Sequence, residues 1–382
     1  PIADGEGFSL TAIDPGEPDT FAWGEKDFWR ASANSGGSPG RDDSGLVPDP
    51  GAVVINEIMA RPHDNASDWI ELYNTTDTAI DIGGWYLSDS TGNPAKYRIA
   101  SGTALGPNEY LVFQQDLNFG NVNDLGCHVP FALSASGERV YISSGQNGEL
   151  TGYRSSEDFG ASETGISFGR YYDSSTDNYN FVAMARPTPG AANSEPKVGP
   201  IVISEIMYNP DWPADSPYTD EQYEYIELHN ITGEPVTLYD HRMALPWKFT
   251  DGIEYTFPID PTVTIPVGGF LLLARDPVAF AWRYPGVPAD MVLGPYDGKL
   301  SNSGEKLELS APGTIDGSGE LHYIRIDIVD YSDGFHPQNV PGAIDMWPME
   351  PDGNGSSLTR EILTSYGNDP DNWIASSPSP GS

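Results

Sequence analysis

The sequence predicts a mostly β chain that builds one strand-rich module twice, and three observations predict it. Gly (42) and Pro (34) together make up about a fifth of the 382 residues, the balance of short strands separated by tight turns. Apolar and polar residues alternate with a period of two in short runs, the pattern of half-buried strands. The stretch VVINEIMARP at 53–62 returns as IVISEIMYNP at 201–210, so an internal repeat organises the chain.

Each E-I-M strand is followed by a polar gap and a second matching run, DWIELYNTT at 68–76 and EYIELHNIT at 224–232. Their alternating Ile and Leu mark a second strand. A third block reads AIDIGGWYLSD in the first copy and the more divergent PVTLYDHRMAL in the second. The fourth, LGPNEYLVF against IPVGGFLLLARD, is a Pro or Gly turn entering a buried strand. Next, PFALSASGERVYISS and GKLSNSGEKLELSAP share Leu-Ser-x-Ser-Gly-Glu-(Arg/Lys), and Ser136-Gly137 and Ser303-Gly304 suit a two-residue hairpin turn between strands.

The closing element occurs three times: DGEGFSLTAID at 4–14, ETGISFGRYYD at 163–173 and DGNGSSLTREI at 352–362 each carry Gly-x-Ser-(Leu/Phe). An aromatic-centred stretch and a small-residue exit follow each: FWRASANSGGSPG, NFVAMARPTPG and NWIASSPSPG. The boundaries follow. Residues 1–47 are an orphan closing hairpin and linker, 51–193 the first full module, NSEPKVGP a short semi-stiff connection, and 200–382 the second module. One helix is expected, near 276–286, where Asp276 can cap and Pro277 sits at the first helical position. The orphan hairpin is either the cut end of a longer polypeptide or a piece that packs on another module or subunit.

The strings INEIMARP, DWIELYNTT, IDIGGWYLSD, LGPNEYLVF, LSASGERVYI and SFGR, in that order, resemble the lamin tail domain family, and so do ISEIMYNP, EYIELHNIT, VGGFLLLARD, LSNSGEKLEL and SSLTR. The resemblance covers both modules and, through the closing hairpin alone, residues 4–40. It implies an immunoglobulin-like β-sandwich for each module, in a bacterial cell-surface or secreted setting. The second module departs by lacking Gly83-Gly84-Trp85 and by inserting RDPVAFAWRYPG. The basic surface of nuclear lamins is missing, so chromatin binding does not carry over, and the family brings no agreed active site.

Charge narrows the partners. With 56 Asp and Glu against 19 Lys and Arg, the formal net charge is -37, which argues against nucleic acid and anionic membranes, both bound by basic surfaces. No stretch approaches a membrane span, and PIADGEGFSL is not a signal peptide. Cys127 is the single cysteine, so no intramolecular disulfide forms, and its expected place is a core or loop. Sequons at Asn65, Asn74, Asn230 and Asn354 would be surface glycan sites in a secreted protein.

Several residues carry chemistry on paper. GISFG at 165–169 fits the nucleophile elbow of serine hydrolases, yet Ser167 aligns with Ser9 and Ser357 in a repeated hairpin and is read as a decoy. Glu57 and Glu71, with Glu205 and Glu227, recur at equivalent strand positions; such a pair could serve as general acid and base or bind a cation, yet alternation points them outward from the core, as a polar ladder paired with Arg or Lys or as a shared cation site. The acidic loops DSSTDNYN (173–180), DIVDYSDG (327–334) and NDPDNW (368–373) gather oxygen ligands, and calcium is the ion they would suit; Asp173, Asp177, Asp327, Asp330 and Asp333 are its candidate ligands. The His residues at 63, 128, 229, 241, 322 and 336 show no metal-ligand spacing. Trp29, Phe181 and Trp373, at matching places, are read as core plugs rather than sugar-stacking rings.

The expected function is therefore a non-catalytic extracellular structural or adhesive protein, a cell-surface or filament-building segment with no cofactor unless calcium. Self-assembly or protein partners are expected, with no nucleic acid and no membrane insertion. The alternative is a module that binds polysaccharide or protein and targets an attached enzyme, and its mark would be a row of exposed aromatics.

Overall fold

The computed structural model describes residues 1–382 except 1, 2, 4, 19, 20, 26, 27, 65 and 338–344. The chain divides into two compact units, Pro1–Arg170 with Phe181–Glu195, and Tyr171–Asn180 with Pro196–Ser382. Both are nearly all β. Among the described residues no helix is long and apolar enough to cross a membrane.

In the first unit, β1 (Leu10–Ala12) and β2 (Trp29–Ala31) form a separate antiparallel pair. The sandwich is built from β3 (Val53–Met59), β4 (Trp69–Asn74), β5 (Tyr86–Ser88), β6 (Tyr97–Arg98), β7 (Tyr110–Gln114), β8 (Glu138–Gln146), β9 (Glu149–Phe159), β10 (Phe168–Asp173) and β11 (Asn178–Ala183). One sheet runs β11-β10-β3-β4-β7 and the other β9-β8-β5-β6. The facing sides hold Val53, Ile55, Ile58, Ile70 and Leu72 against Leu87, Val140, Ile142 and Phe159, all buried. Burying one such side chain is worth about 1.5–3 kcal/mol, so this alternating set drives the two sheets together. Trp85 packs on Tyr153 with ring centroids 5.1 Å apart, and the Tyr153 hydroxyl ties the sheets by accepting from Val53 N and donating to Val53 O. Gly83 is required before it, because a Cβ there would lie 2.6 Å from Gly102 N.

The second unit repeats this plan with β12 (Ile201–Met207), β13 (Tyr225–Asn230), β14 (Lys248–Asp251), β15 (Phe270–Ala274), α1 (Pro277–Arg283), β16 (Val292–Leu293), β17 (Gly304–Ile315), β18 (Leu321–Ser332), β19 (Ser357–Arg360) and β20 (Trp373–Ser376). Its sheets are β16-β15-β13-β12-β19-β20 and β14-β17-β18. Ile203, Ile206, Ile226, Leu228 and Leu358 fill the core with Leu307, Leu309 and Val329. Asp276 caps α1, accepting from Val278 N and Ala279 N, with Pro277 leading the helix. Phe280 packs with Met207, Tyr225 and Leu272 in a second cluster.

The first strands of the two units share more than sequence. β3 pairs Glu57 with Glu71 and β12 pairs Glu205 with Glu227, each after an irregularity between Ile55 and Glu57 or between Ile203 and Glu205. A bulge at Asn56 and Ser204 therefore resets the alternation at the same point in both.

Two turn expectations need correction. Ser136-Gly137 and Ser303-Gly304 do not join two strands; they lead into the long β8 and β17. Gly137 and Gly304 take φ of +94° and +104°, and the following glutamate closes the turn, Glu138 accepting from Ser134 N at 2.6 Å and Glu305 from Ser301 N at 2.7 Å. Nor are Asn74 and Asn230 surface glycan sites. Each is fully buried, its amide donating to three carbonyls while its oxygen accepts from Thr76 or Thr232 two residues on. Asn65 lies outside the described residues. Asn354 is exposed and donates to Asp352 O.

Candidate functional site

The paired glutamates are the most distinctive polar feature of both units. Alternation around Ile70 and Leu72 sends Glu71 to the side of the sheet opposite the sandwich core, and the bulge sends Glu57 there too. The sequence reading had that side open to solvent and the glutamates paired with Arg or Lys, and the structure corrects it: Glu57 and Glu71 are both 0% exposed. The exit segment after β11 crosses this outer face and covers them.

That segment supplies Thr188 and Gly190 as partners, and the strands and their ends supply the rest. Glu57 accepts from Ser167 Oγ at 2.5 Å, from Thr188 N at 3.1 Å and from Thr188 Oγ1 at 2.9 Å. Glu71 accepts from Asn56 Nδ2 at 2.8 Å and from Gly190 N at 2.5 Å. In the second unit Glu205 accepts from Ser357 Oγ and from Ser379 N at 3.0 Å. Glu227 accepts from Ser204 Oγ at 2.8 Å and Gly381 N at 2.6 Å. The recurring Thr-Pro-Gly and Ser-Pro-Gly exits are thus the bolts of a carboxylate latch. In the first unit donors of the chain itself take both oxygens of Glu57 and of Glu71, which leaves no room there for a shared cation, whereas in the second the buried Glu205 Oε2 has no hydrogen-bond partner among the described residues. Burial pushes the Glu57 and Glu205 carboxyls up and takes those of Glu71 and Glu227 to about 7, because hydrogen bonds only partly offset desolvation.

Ser167 spends its hydroxyl on Glu57, in a hairpin rather than at a strand-to-helix turn. That is the geometry of a structural serine.

The five candidate calcium ligands do not form one site. Asp327 is buried and its Oδ2 lies 2.7 Å from Arg360 Nη1 and accepts from Ile203 N at 2.8 Å. A guanidinium of the chain occupies the place of a cation, which removes Asp327 from the calcium set. Burial still outweighs that charge and holds its carboxyl above the ordinary value. The signal was in the sequence: Arg360 is the arginine that ends SSLTR, as Arg170 ends SFGR. Asp333 is buried too, accepting from Phe335 N at 2.9 Å and pairing with His336 at 2.8 Å. Asp177 stands exposed at the β10–β11 turn with φ +49°, and accepts from the Tyr172 hydroxyl at 2.7 Å. Asp173 accepts from Ser175 N and Oγ. The 171–180 hairpin groups with the second unit, and there Asp173 and the exposed Asp330 line one cavity of about 340 Å³ with Glu305 and Trp347.

One acidic cluster escaped the sequence reading. Asp316, Glu320 and His322 bring ligand atoms within 4.8 Å of one another at the β17–β18 turn. His322 sits across the hairpin from Asp316, so linear spacing hides the group. Asp316 Oδ1 accepts from Ser318 N, Ser318 Oγ and Glu320 N, and its Oδ2 lies 3.0 Å from His322 Nε2. These contacts hold the Asp316 carboxyl well below its ordinary value.

The three matching aromatics part company. Trp373 is buried in the second core and Phe181 packs against the first. Trp29 is only half-buried, its indole N–H donating to Trp23 O. Cys127 is half-buried against the first core, with Sγ 3.4 Å from Phe119 O.

The Lamin Tail Domain family model matches residues 47–156. No curated protein matches the chain. Among solved structures, the crystal structure of a DUF4876 family protein from Bacteroides thetaiotaomicron is similar over 85% of this chain and 92% of that one, at 10% identity and a TM-score of 0.30, a likeness too slight to argue from. The first module is therefore similar to the lamin tail domain family over residues 47–156, and the second repeats its opening strands, its bulge and its latch.

Proposed function

We propose that the chain is a non-catalytic structural or adhesive segment of an exported or cell-surface protein, with its latched sandwiches as spacers and the β1–β2 hairpin as its joining element. One comparison within the repeat carries this reading. β1 and β2 pair Leu10 with Ala31, Thr11 with Arg30 and Ala12 with Trp29; β19 and β20 pair Leu358 with Ala375, Thr359 with Ile374 and Arg360 with Trp373. The registers match, but β12 runs beside β19 and Leu358 is 0% exposed, whereas Leu10 is 62% exposed. An apolar strand edge is a template for another chain.

The hairpin is held ready by the first unit. Gly152 N donates to Ala33 O at 3.1 Å, Arg154 pairs with Glu6, and Ala33 and Val47 enter the first core. Its anchor therefore lies away from the Leu10 edge. The latch supports the non-catalytic part of the reading, since each of its four glutamates accepts from donors of the same chain and lies buried. A surface of net charge -37 suits a crowded exported setting where solubility matters.

Sedimentation velocity over a wide concentration range tests the proposal. The expected outcome is association of the full chain that weakens in Leu10→Asp while the thermal unfolding profile stays the same. A wild-type chain that remains monomeric throughout overturns it.

A further inference from the structure

Two stretches of the second unit have no counterpart in the first. The gap between the first two strands runs 60–68 in the first unit and 208–224 in the second, and β15 is followed by an α-helix where its counterpart β7 is not. Neither addition is needed to close a sandwich, because the first unit closes without them. They meet each other: Gln222 Nε2 donates to Asp276 Oδ2 at 2.7 Å, and the Tyr223 and Trp282 rings stack with centroids 6.0 Å apart. Arg283 pairs with Asp211, donates to Asp211 O at 3.0 Å, and lies 5.0 Å over the Tyr223 ring.

Together they frame an open groove of about 700 Å³ whose lining includes Asp211, Pro213, Trp282, Tyr284 and Asn354. Trp282 is 41% exposed and Trp212, between two lining residues, is 66% exposed. Trp212 donates its indole N–H to Tyr218 O at 2.9 Å, and the Tyr218 ring stands edge-on to Trp282 at 6.3 Å. Both indoles are thus fixed by neighbours while their surfaces stay open, and large exposed apolar surface grouped this way marks a binding site.

We propose that this groove binds a neutral polysaccharide, with sugar rings stacking on Trp212 and Trp282 and hydroxyls bonding to Asp211, Arg283 and Asn354. Three points favour a sugar over a protein partner. A protein surface would bury the Arg283–Asp211 pair at a desolvation cost it could not recover without matched polar groups, whereas sugar hydroxyls donate to the carboxylate and accept from the guanidinium. Exposed indoles stand beside the polar side chains of Asp211, Arg283 and Asn354, a mixture that suits the CH faces and hydroxyls of a sugar better than a continuous apolar contact. A chain of net charge -37 repels anionic glycans and tolerates neutral ones. This goes beyond the structural reading and does not depend on Leu10.

The test is affinity electrophoresis of the full chain in gels containing a neutral glucan, mannan, xylan or galactan, with polygalacturonate as the anionic control, backed by a neutral-glycan array. The expected result is retardation by at least one neutral polymer and none by polygalacturonate, with binding weakened about tenfold or more in Trp212→Ala and in Trp282→Ala. Trp212 is the more exposed of the two indoles, so its variant keeps the unfolding temperature of the wild type and stays informative if Trp282→Ala does not fold. Absence of binding across the neutral panel and array, binding indifferent to both tryptophans, or use of the same residues for a protein ligand instead would each overturn the assignment. Sedimentation behaviour unchanged in Trp212→Ala keeps this outcome separate from that of the assembly proposal.

Discussion

Glu71 shows what one buried carboxyl does to the whole unit. Its ordinary value is 4.5 and burial takes it to about 7, so the folded state holds its proton more tightly than the unfolded state. The group's contribution to stability is then fullest below pH 4.5 and erodes as pH rises from 4.5 through about 7. Glu71→Gln separates this effect from the general titration of so acidic a chain. A protonated carboxyl still offers two acceptor oxygens to Asn56 Nδ2 and Gly190 N, whereas the amide offers one and sets its own donor against the other. We expect the variant to be less stable than wild type by about 1–3 kcal/mol at pH 5, and the deficit to shrink by pH 8, as calorimetry on the pair across that range would read. A deficit independent of pH would remove Glu71 as the titrating group. Alternation around Ile70 and Leu72 made the direction of this side chain legible; its burial was not, because a period of two says which face a residue takes and nothing of what lies over that face.

At the level of elements, the exit segments have no regular structure and yet hold the opening strands. Thr188 gives Glu57 both its N–H and its hydroxyl, and Pro189 stiffens the turn that brings Gly190 to Glu71. Replacing Thr188 with Val keeps the shape and removes one donor to a buried carboxylate. We expect a loss of about 1–3 kcal/mol in denaturant unfolding, with Thr188→Ser close to wild type; equal behaviour of the two variants would mean the hydroxyl does not matter. The strands, their order and the helix at 277–283 were legible because each has a local cause: alternation, turn residues, an Asp cap with Pro after it. The latch and the Asp316–Glu320–His322 cluster were not, since each joins residues that no local pattern links. The repetition of Thr-Pro-Gly and Ser-Pro-Gly beside a repeated glutamate pair was the one visible hint.

For the whole molecule, charge matters most. A net charge of -37 sets like charges against each other across each surface, and salt screens them over roughly 10 Å at 0.1 M. Thermal unfolding should therefore move upward with added sodium chloride. At matched ionic strength we expect calcium chloride to give the same rise, because Asp327 and Asp333 already hold Arg360 and His336, and Asp177 holds a tyrosine hydroxyl. A further increment specific to calcium would point to the cavity that Asp173 and Asp330 share. The doubled architecture was plain in the sequence from its repeated strings, and the third closing element stood out as unattached; that it leans on β9 through Gly152 was not foreseeable, because nothing in Gly-Tyr-Arg at 152–154 resembles a docking strand.

In each unit the strand that opens the sandwich and the segment that leaves it lie side by side, joined by Asn56 and Asn193 in the first and by Glu205 and Ser379 in the second. Tension applied between the opening strand and the exit segment of either sandwich therefore falls first on the latch. Once it yields, a sandwich can release several hundred ångströms of backbone at about 3.3–3.6 Å per residue, so that the same few hydrogen bonds that close the fold would set the force at which it opens under tension.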